Sequence, residues 1–151
     1  MQMGGSEPRY TKRAQEVISW AKGEARVLGS PTASTVHLLL SMFRDKTCVA
    51  SRILLKMAVD VDAIVSVVES EAYIGPGISE EQEIELDDGG WMVLDTAYSE
   101  SKKLRNNYVG TEHLLLGIVL SPNGTVARLL SSAGVQYSDV YAEVLRFQVC
   151  G

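Results

Sequence analysis

Only two cysteines, Cys48 and Cys150, and two histidines, His37 and His113, occur in these 151 residues. Two cysteines make no disulfide framework, so the chain is expected in a reducing setting, the cytoplasm or an equivalent compartment such as an organelle stroma. Neither histidine has a second histidine or a cysteine at ligand spacing, so no metal and no cofactor are expected. No glycine is followed by lysine, which excludes a phosphate-cradling P-loop. Ser34, Ser41 and Ser121 lie outside any nucleophile-elbow pattern, and no Cys-His-Asp order suggests a protease. The residues therefore read as a non-enzyme. No apolar run approaches the roughly 20 residues of a membrane span. The first eight residues lack the basic region and apolar core of a signal peptide. Strand-like alternation is missing as well. Glu80, Glu81, Glu83, Glu85, Asp87 and Asp88 supply six negative charges against a net of −5, so the rest is nearly neutral. Without a basic face, nucleic acid is not an expected partner.

What the chain does have is a helix that must be buried. Gly110-Thr-Glu-His-Leu-Leu-Leu-Gly-Ile-Val119 starts with polar residues and turns apolar on nearly every side. Gly110 suits a tight start, the Thr111 hydroxyl can cap the first turn, and the helix dipole favours Glu112 there. The same pattern occurs 76 positions earlier, at Ala33-Ser-Thr-Val-His-Leu-Leu-Leu-Ser-Met42. At that offset, without a gap, Val17 matches Val93, Glu24 matches Glu100, Arg52 matches Arg128 and Val68 matches Val144. The chain is two copies of one unit.

Taken in order, residues 1–9 read as a flexible lead-in and 10–72 as the first repeat. Thr11 caps a helix to about Leu28, with Ala14, Val17, Ala21 and Ala25 on one stripe. Ser34 or Thr35 opens the second helix, Thr47 the third and Asp60 the fourth. Residues 73–87, with Gly75-Pro-Gly77 and the acidic run, read as a solvated linker. The second repeat spans 88–147, with helices from about Asp88, Thr111, Val126 and Ser138, and 148–151 form a tail. The expectation is an all-α fold of eight helices, two tandem four-helix repeats related by a pseudo-twofold axis.

Tyr10-Thr-Lys-Arg-Ala-Gln-Glu-Val17, Glu24-Ala-Arg-Val-Leu-Gly29 and Gly110-Thr-Glu-His-Leu-Leu-Leu-Gly117 resemble the Clp N-terminal repeat domain. That domain precedes the ATPase rings of ClpA- and ClpC-type unfoldases and also occurs alone. The resemblance covers about residues 10–147 and implies the same all-α fold. It implies a role in receiving protein substrates and adaptor proteins and, for some members, phosphoarginine-marked substrates; the partners of a stand-alone member would be Clp ATPase and protease subunits. Lacking a P-loop, the chain is expected to be an N-domain or a stand-alone relative.

The resemblance points to Thr11, Arg13, Thr111 and Glu112 as binding residues. Glu112 stands where relatives face a guanidinium, and Thr11 and Arg13 stand where polar and basic groups meet a phosphate. Both pairs are broken in the other copy: Thr35-Val36 offers no acid, and Asp87 and Gly89 replace Thr11 and Arg13. Each half thus lacks one side of a complete site, which counts against phosphoarginine. Residue by residue there are plain structural roles too. Glu112 is stabilised by its helix dipole whatever it binds. The histidines suit helix starts, Cys48 a partly buried structural position, and Trp20 and Trp91 the core edge. Rival readings are a stand-alone regulator docking on the Clp machinery and a small-molecule-sensing helical domain.

Overall fold

Thr11, Ser34, Asp87 and Gly110 each stand at the start of a long helix, and these starts fix the architecture. A computed structural model describes residues 8–71, 75, 78–122 and 124–150. The elements are α1 (Lys12–Val27), β1 (Thr32–Ala33), α2 (Thr35–Arg44), α3 (Val49–Lys56), α4 (Val61–Glu71), β2 (Glu85–Leu86), α5 (Asp88–Lys103), α6 (Thr111–Val119), α7 (Gly124–Ser132) and α8 (Tyr137–Cys150). The fold is all-α, with four helices from each repeat.

α2 and α6 form the centre. Leu38, Leu39 and Leu40, and their counterparts Leu114, Leu115 and Leu116, are fully buried. α1 packs on α2 through the small residues Ala14, Ala21 and Ala25, which let the two backbones approach. α5 packs on α6 at Gly117, where an added Cβ would stand 2.6 Å from the carbonyl oxygen of Val93. The first repeat has Ser41 at that position, and its hydroxyl donates to the equivalent carbonyl, that of Val17, at 2.9 Å. One half closes the gap by having no side chain, the other by a hydrogen bond.

Two strands of two residues each, too brief for strand-like alternation, accompany the helices. β1 and β2 pair in parallel, Ala33 opposite Leu86, and Tyr10 pairs in the same sense with Val109. These pairings are one contact repeated under the 76-residue offset with the halves exchanged. Asp87 N–H donates to Ala33 C=O at 2.9 Å, just as Thr11 N–H donates to Val109 C=O at 3.0 Å. The start of α1 is therefore stitched to the start of α6, and the start of α5 to that of α2. The repeats cross over.

Three boundaries differ from the sequence reading. Of the lead-in, residues 1–7 lie outside the described residues, but Arg9 is anchored, its carbonyl accepting from Val109 N–H at 2.8 Å. In the stretch read as a solvated linker, Ile84 and Leu86 are buried while Glu83 and Glu85 face outward. Arg26 straps this stretch to α1 by donating to the carbonyls of Ser79 (2.5 Å) and Gln82 (2.7 Å). Of the Gly75-Pro-Gly77 turn, residues 76 and 77 lie outside the described residues. Finally, α8 runs through the positions read as a tail, to Cys150.

Candidate partner-binding site

The crossover brings three helix starts together. α1 begins at its cap Thr11, α3 at Cys48 and α6 at Gly110. Between them lies a cavity of about 320 Å³ lined by Thr11, Arg13, Thr47, Cys48, Val49, Tyr108, Thr111 and Glu112. All four residues singled out from the sequence line it, two from each repeat. Within either half alone, one side of such a site is missing. Across the halves, the surviving side of each repeat faces the other.

Each side chain is held for a definable reason. The Thr11 hydroxyl accepts from Ala14 N–H at 3.1 Å, an ordinary helix cap. Arg13 is half-exposed and donates to Asp45 at 3.0 Å. Burial favours neutral Asp45, but the Thr47 hydroxyl and N–H, with Arg13, outweigh it and hold this carboxyl below its usual range. Thr47 therefore does not cap α3. The expected cap is replaced by Thr111, whose hydroxyl accepts from Ala50 N–H at 3.1 Å across the two repeats. Thr111 thus does not cap its own helix, whose N-cap is Gly110.

Glu112 is only 6% exposed. Its carboxylate folds back over Gly110, where any Cβ would collide with it. Burial pushes its pKa up, opposed by its own backbone N–H and by the Tyr108 hydroxyl, which donates at 3.2 Å. No Lys, Arg or His among the described residues lies within ion-pair distance of it. A buried carboxylate with one neutral side-chain donor is the arrangement that gains most from an arriving cation.

His113 locks the start of α6. Its Nδ1 accepts from Gly110 N–H at 2.8 Å, so the proton resides on Nε2, which donates to Asn106 Oδ1 at 2.7 Å. Burial drives its pKa down to about 4, with Glu100 opposing. His37 plays the same part in the first repeat, accepting from Ser34 N–H at 2.9 Å. Both histidines act as the third residue of a helix start.

At the twofold-related place the chemistry is gone. Asp87 caps its own helix, accepting from Gly90 N–H at 2.9 Å. Gly89 leaves space toward the Thr35 hydroxyl, which is buried without a partner among the described residues. Val36 replaces the acid. Cys48 is buried, its thiol donating to the carbonyl of Asp45 at 3.3 Å. The side chain of Cys150 lies outside the described residues. Trp20 and Trp91 are 44% and 52% exposed, more open than a core-edge position. Tyr108, Asp45 and Thr47 were missed from the sequence. Tyr108 carried a signal, as an aromatic just ahead of the Gly-Thr-Glu-His start, whereas Asp45 and Thr47 enter only through the fold.

Fold and cleft together define the class: an all-α tandem-repeat domain whose polar site is assembled across its two halves. The Clp repeat (R) N-terminal domain family matches residues 9–133 and 85–148, and the chain belongs to this family. It is 35% identical over 138 residues to the negative regulator of genetic competence ClpC/MecB of Bacillus subtilis, covering 91% of this chain and 17% of that one. To the Clp protease ATP-binding subunit ClpA homolog of Porphyra purpurea it is 37% identical over 140 residues, with the same coverage. The chain thus spans about a sixth of these relatives. Among solved structures, the ClpD N-terminal domain of Arabidopsis thaliana superposes with a TM-score of 0.72 at 22% identity, covering 99% of this chain and 100% of that one. A ClpV N-domain in complex with a VipB peptide gives 0.64 at 12% identity, covering 92% and 97%. These structures share the fold. No helix among the described residues is long and apolar enough to cross a membrane.

Proposed function

We propose that this chain is a non-catalytic protein-binding domain that receives substrates or adaptor proteins for a Clp-type ATP-driven unfoldase or protease, in the cytoplasm or an organelle stroma. Family membership supports the role, as does a related N-domain that holds a peptide. The cleft at the starts of α1, α3 and α6 is the contact site. One observation carries this assignment: buried Glu112, without a counter-cation among the described residues, shares a single cavity with Arg13 and the start of α1.

Such a cavity suits a group that is cationic at one end and anionic at the other. Glu112 takes a guanidinium. The first-turn N–H groups of Lys12 and Arg13 have no intrahelical acceptor, and the α1 dipole favours negative charge there. Phosphoarginine has both ends in one side chain. The objection from the sequence, that neither repeat holds both sides, does not apply to a site shared between repeats. Asp45 neutralises part of the Arg13 charge, so the guanidinium side is the stronger half.

The test is calorimetric titration of a phosphoarginine peptide into the wild type and Glu112→Gln. The amide keeps the shape and an acceptor for Tyr108 but loses the charge. Binding to Glu112→Gln should be about ten-fold or more weaker than to the wild type, as expected for loss of a charge-assisted bond, with the variant's melting temperature unchanged or raised. Equal binding to both proteins would refute the assignment.

A further inference from the structure

Beside the cavity just described lies a second, of about 490 Å³, lined by Val49, Arg52, Asn106, Tyr108, Glu112, Phe147 and Gln148. The two share Val49, Tyr108 and Glu112, so a chain leaving one passes directly into the other. Resting on the reading of the first cavity, we propose that the second is a subsite for an acidic side chain of the same bound peptide, held by Arg52.

Lys56 on α3 meets Glu143 on α8 at 3.7 Å, and Arg146 reinforces that acid. One turn back along α3 stands Arg52, and one turn on along α8 stands Phe147. An acid at 147 would continue the ladder. The aromatic ring instead lies 5.2 Å beneath the Arg52 guanidinium, orienting it without neutralising it. Arg52 has no carboxylate within ion-pair distance among the described residues, whereas nearby Arg13 is spoken for by Asp45.

The rest of the wall suits a peptide. Gln148 donates to Asn106 at 2.7 Å, leaving its own carbonyl and the Asn106 amide group as further acceptor and donor. Glu112 on one wall and Arg52 on the other give the cleft opposite charges along its length. That order selects a cationic group followed by an acid, and disfavours two cations in succession.

Fluorescence polarisation with two labelled peptides tests this, identical except that the residues flanking one phosphoarginine are Glu in one and Ala in the other. At low salt the wild-type chain should bind the Glu peptide about three- to five-fold tighter, the size a partly exposed ion pair supports. In Arg52→Ala that advantage should vanish while affinity for the Ala peptide stays the same. Arg52 is exposed, and an unchanged melting temperature would verify the variant's fold. No flank preference, or one that persists in Arg52→Ala, overturns the subsite alone. Equal weakening of both peptides by Arg52→Ala would place the phosphoryl group on Arg52 and also overturn it. If neither peptide binds the wild type, the phosphoarginine reading fails and the subsite falls with it.

Discussion

Thr111→Val removes one oxygen at the seam between the repeats, and the repeat supplies its own control. The Thr111 hydroxyl is buried and accepts from Ala50 N–H at 3.1 Å. Ala50 lies in the first turn of α3, whose N-cap Cys48 makes no side-chain capping bond. Valine fills the same volume, so no cavity opens and the loss is the hydrogen bond. A buried N–H left without an acceptor costs about 1–3 kcal/mol, in line with loss of a helix cap. In a domain of this size that lowers the melting temperature by roughly 3–9 °C. Thr35 is the counterpart, 76 residues earlier. Its hydroxyl is equally buried but has no partner among the described residues, so the desolvation cost is already incurred with nothing in return. Thr35→Val should therefore change stability by less than about 0.5 kcal/mol, or raise it. Urea unfolding and calorimetry at neutral pH would separate the two, and Thr111→Ser should restore the wild-type value. A Thr111→Val variant that melts like the wild type, or two valine variants that lose equal stability, would refute this role of the Thr111 hydroxyl.

Other perturbations follow from the same geometry. Gly117→Ala sets a methyl group against the Val93 carbonyl and the Ala97 amide, both backbone, so α5 and α6 must part. A loss of about 1–3 kcal/mol or more is expected by denaturant unfolding. Ala58 and Arg105 adopt left-handed φ of 61° and 63°, where the other repeat has Gly134 and Gly29. Ala58→Gly and Arg105→Gly should each stabilise by about 0.5–1 kcal/mol in the same assay. The pH dependence has a definite sign. The folded pKa of His113, near 4, lies below the unfolded value of about 6.5, so its neutral form is favoured by folding. Its contribution is complete above pH 6.5 and is lost as pH falls toward 4, about 3 kcal/mol in all. Glu112 works in the opposite sense, since its raised pKa makes the folded state gain as the carboxyl protonates. Unfolding free energies measured from pH 7 to 4 should fall in the wild type, less in His113→Gln, and more in Glu112→Gln.

The helices were legible because their signals are local. Leu38–Leu40 and Leu114–Leu116 announce buried helices, the stripe of Ala14, Val17, Ala21 and Ala25 announces the inner face of α1, and the ungapped offset announces the repeat. The four site residues were legible through the family motif. Their meeting was not, because it depends on which helix start is stitched to which. That is decided by two short parallel pairings, Tyr10 with Val109 and Ala33 with Leu86, too brief to leave a strand pattern. Reading each repeat as a closed unit separates residues that the fold gathers around one cavity. Thr111 misled for a related reason: a threonine at a helix start looks like its own cap, yet here it serves α3 of the other repeat. The burial of Ile84 and Leu86 was hidden in a run whose dominant feature is charge.

The central claim is that one binding site, shared by the repeats, survives while its twofold mate is lost. Titrating free phosphoarginine into the isotopically labelled chain and following its amide NMR signals tests this most directly. The account predicts saturable shifts at Lys12, Arg13, Ala50, Thr111 and Glu112, with Thr35, Asp87 and Gly89 unmoved. Shifts centred on Thr35 and Gly89, or none anywhere at saturating ligand, would contradict it.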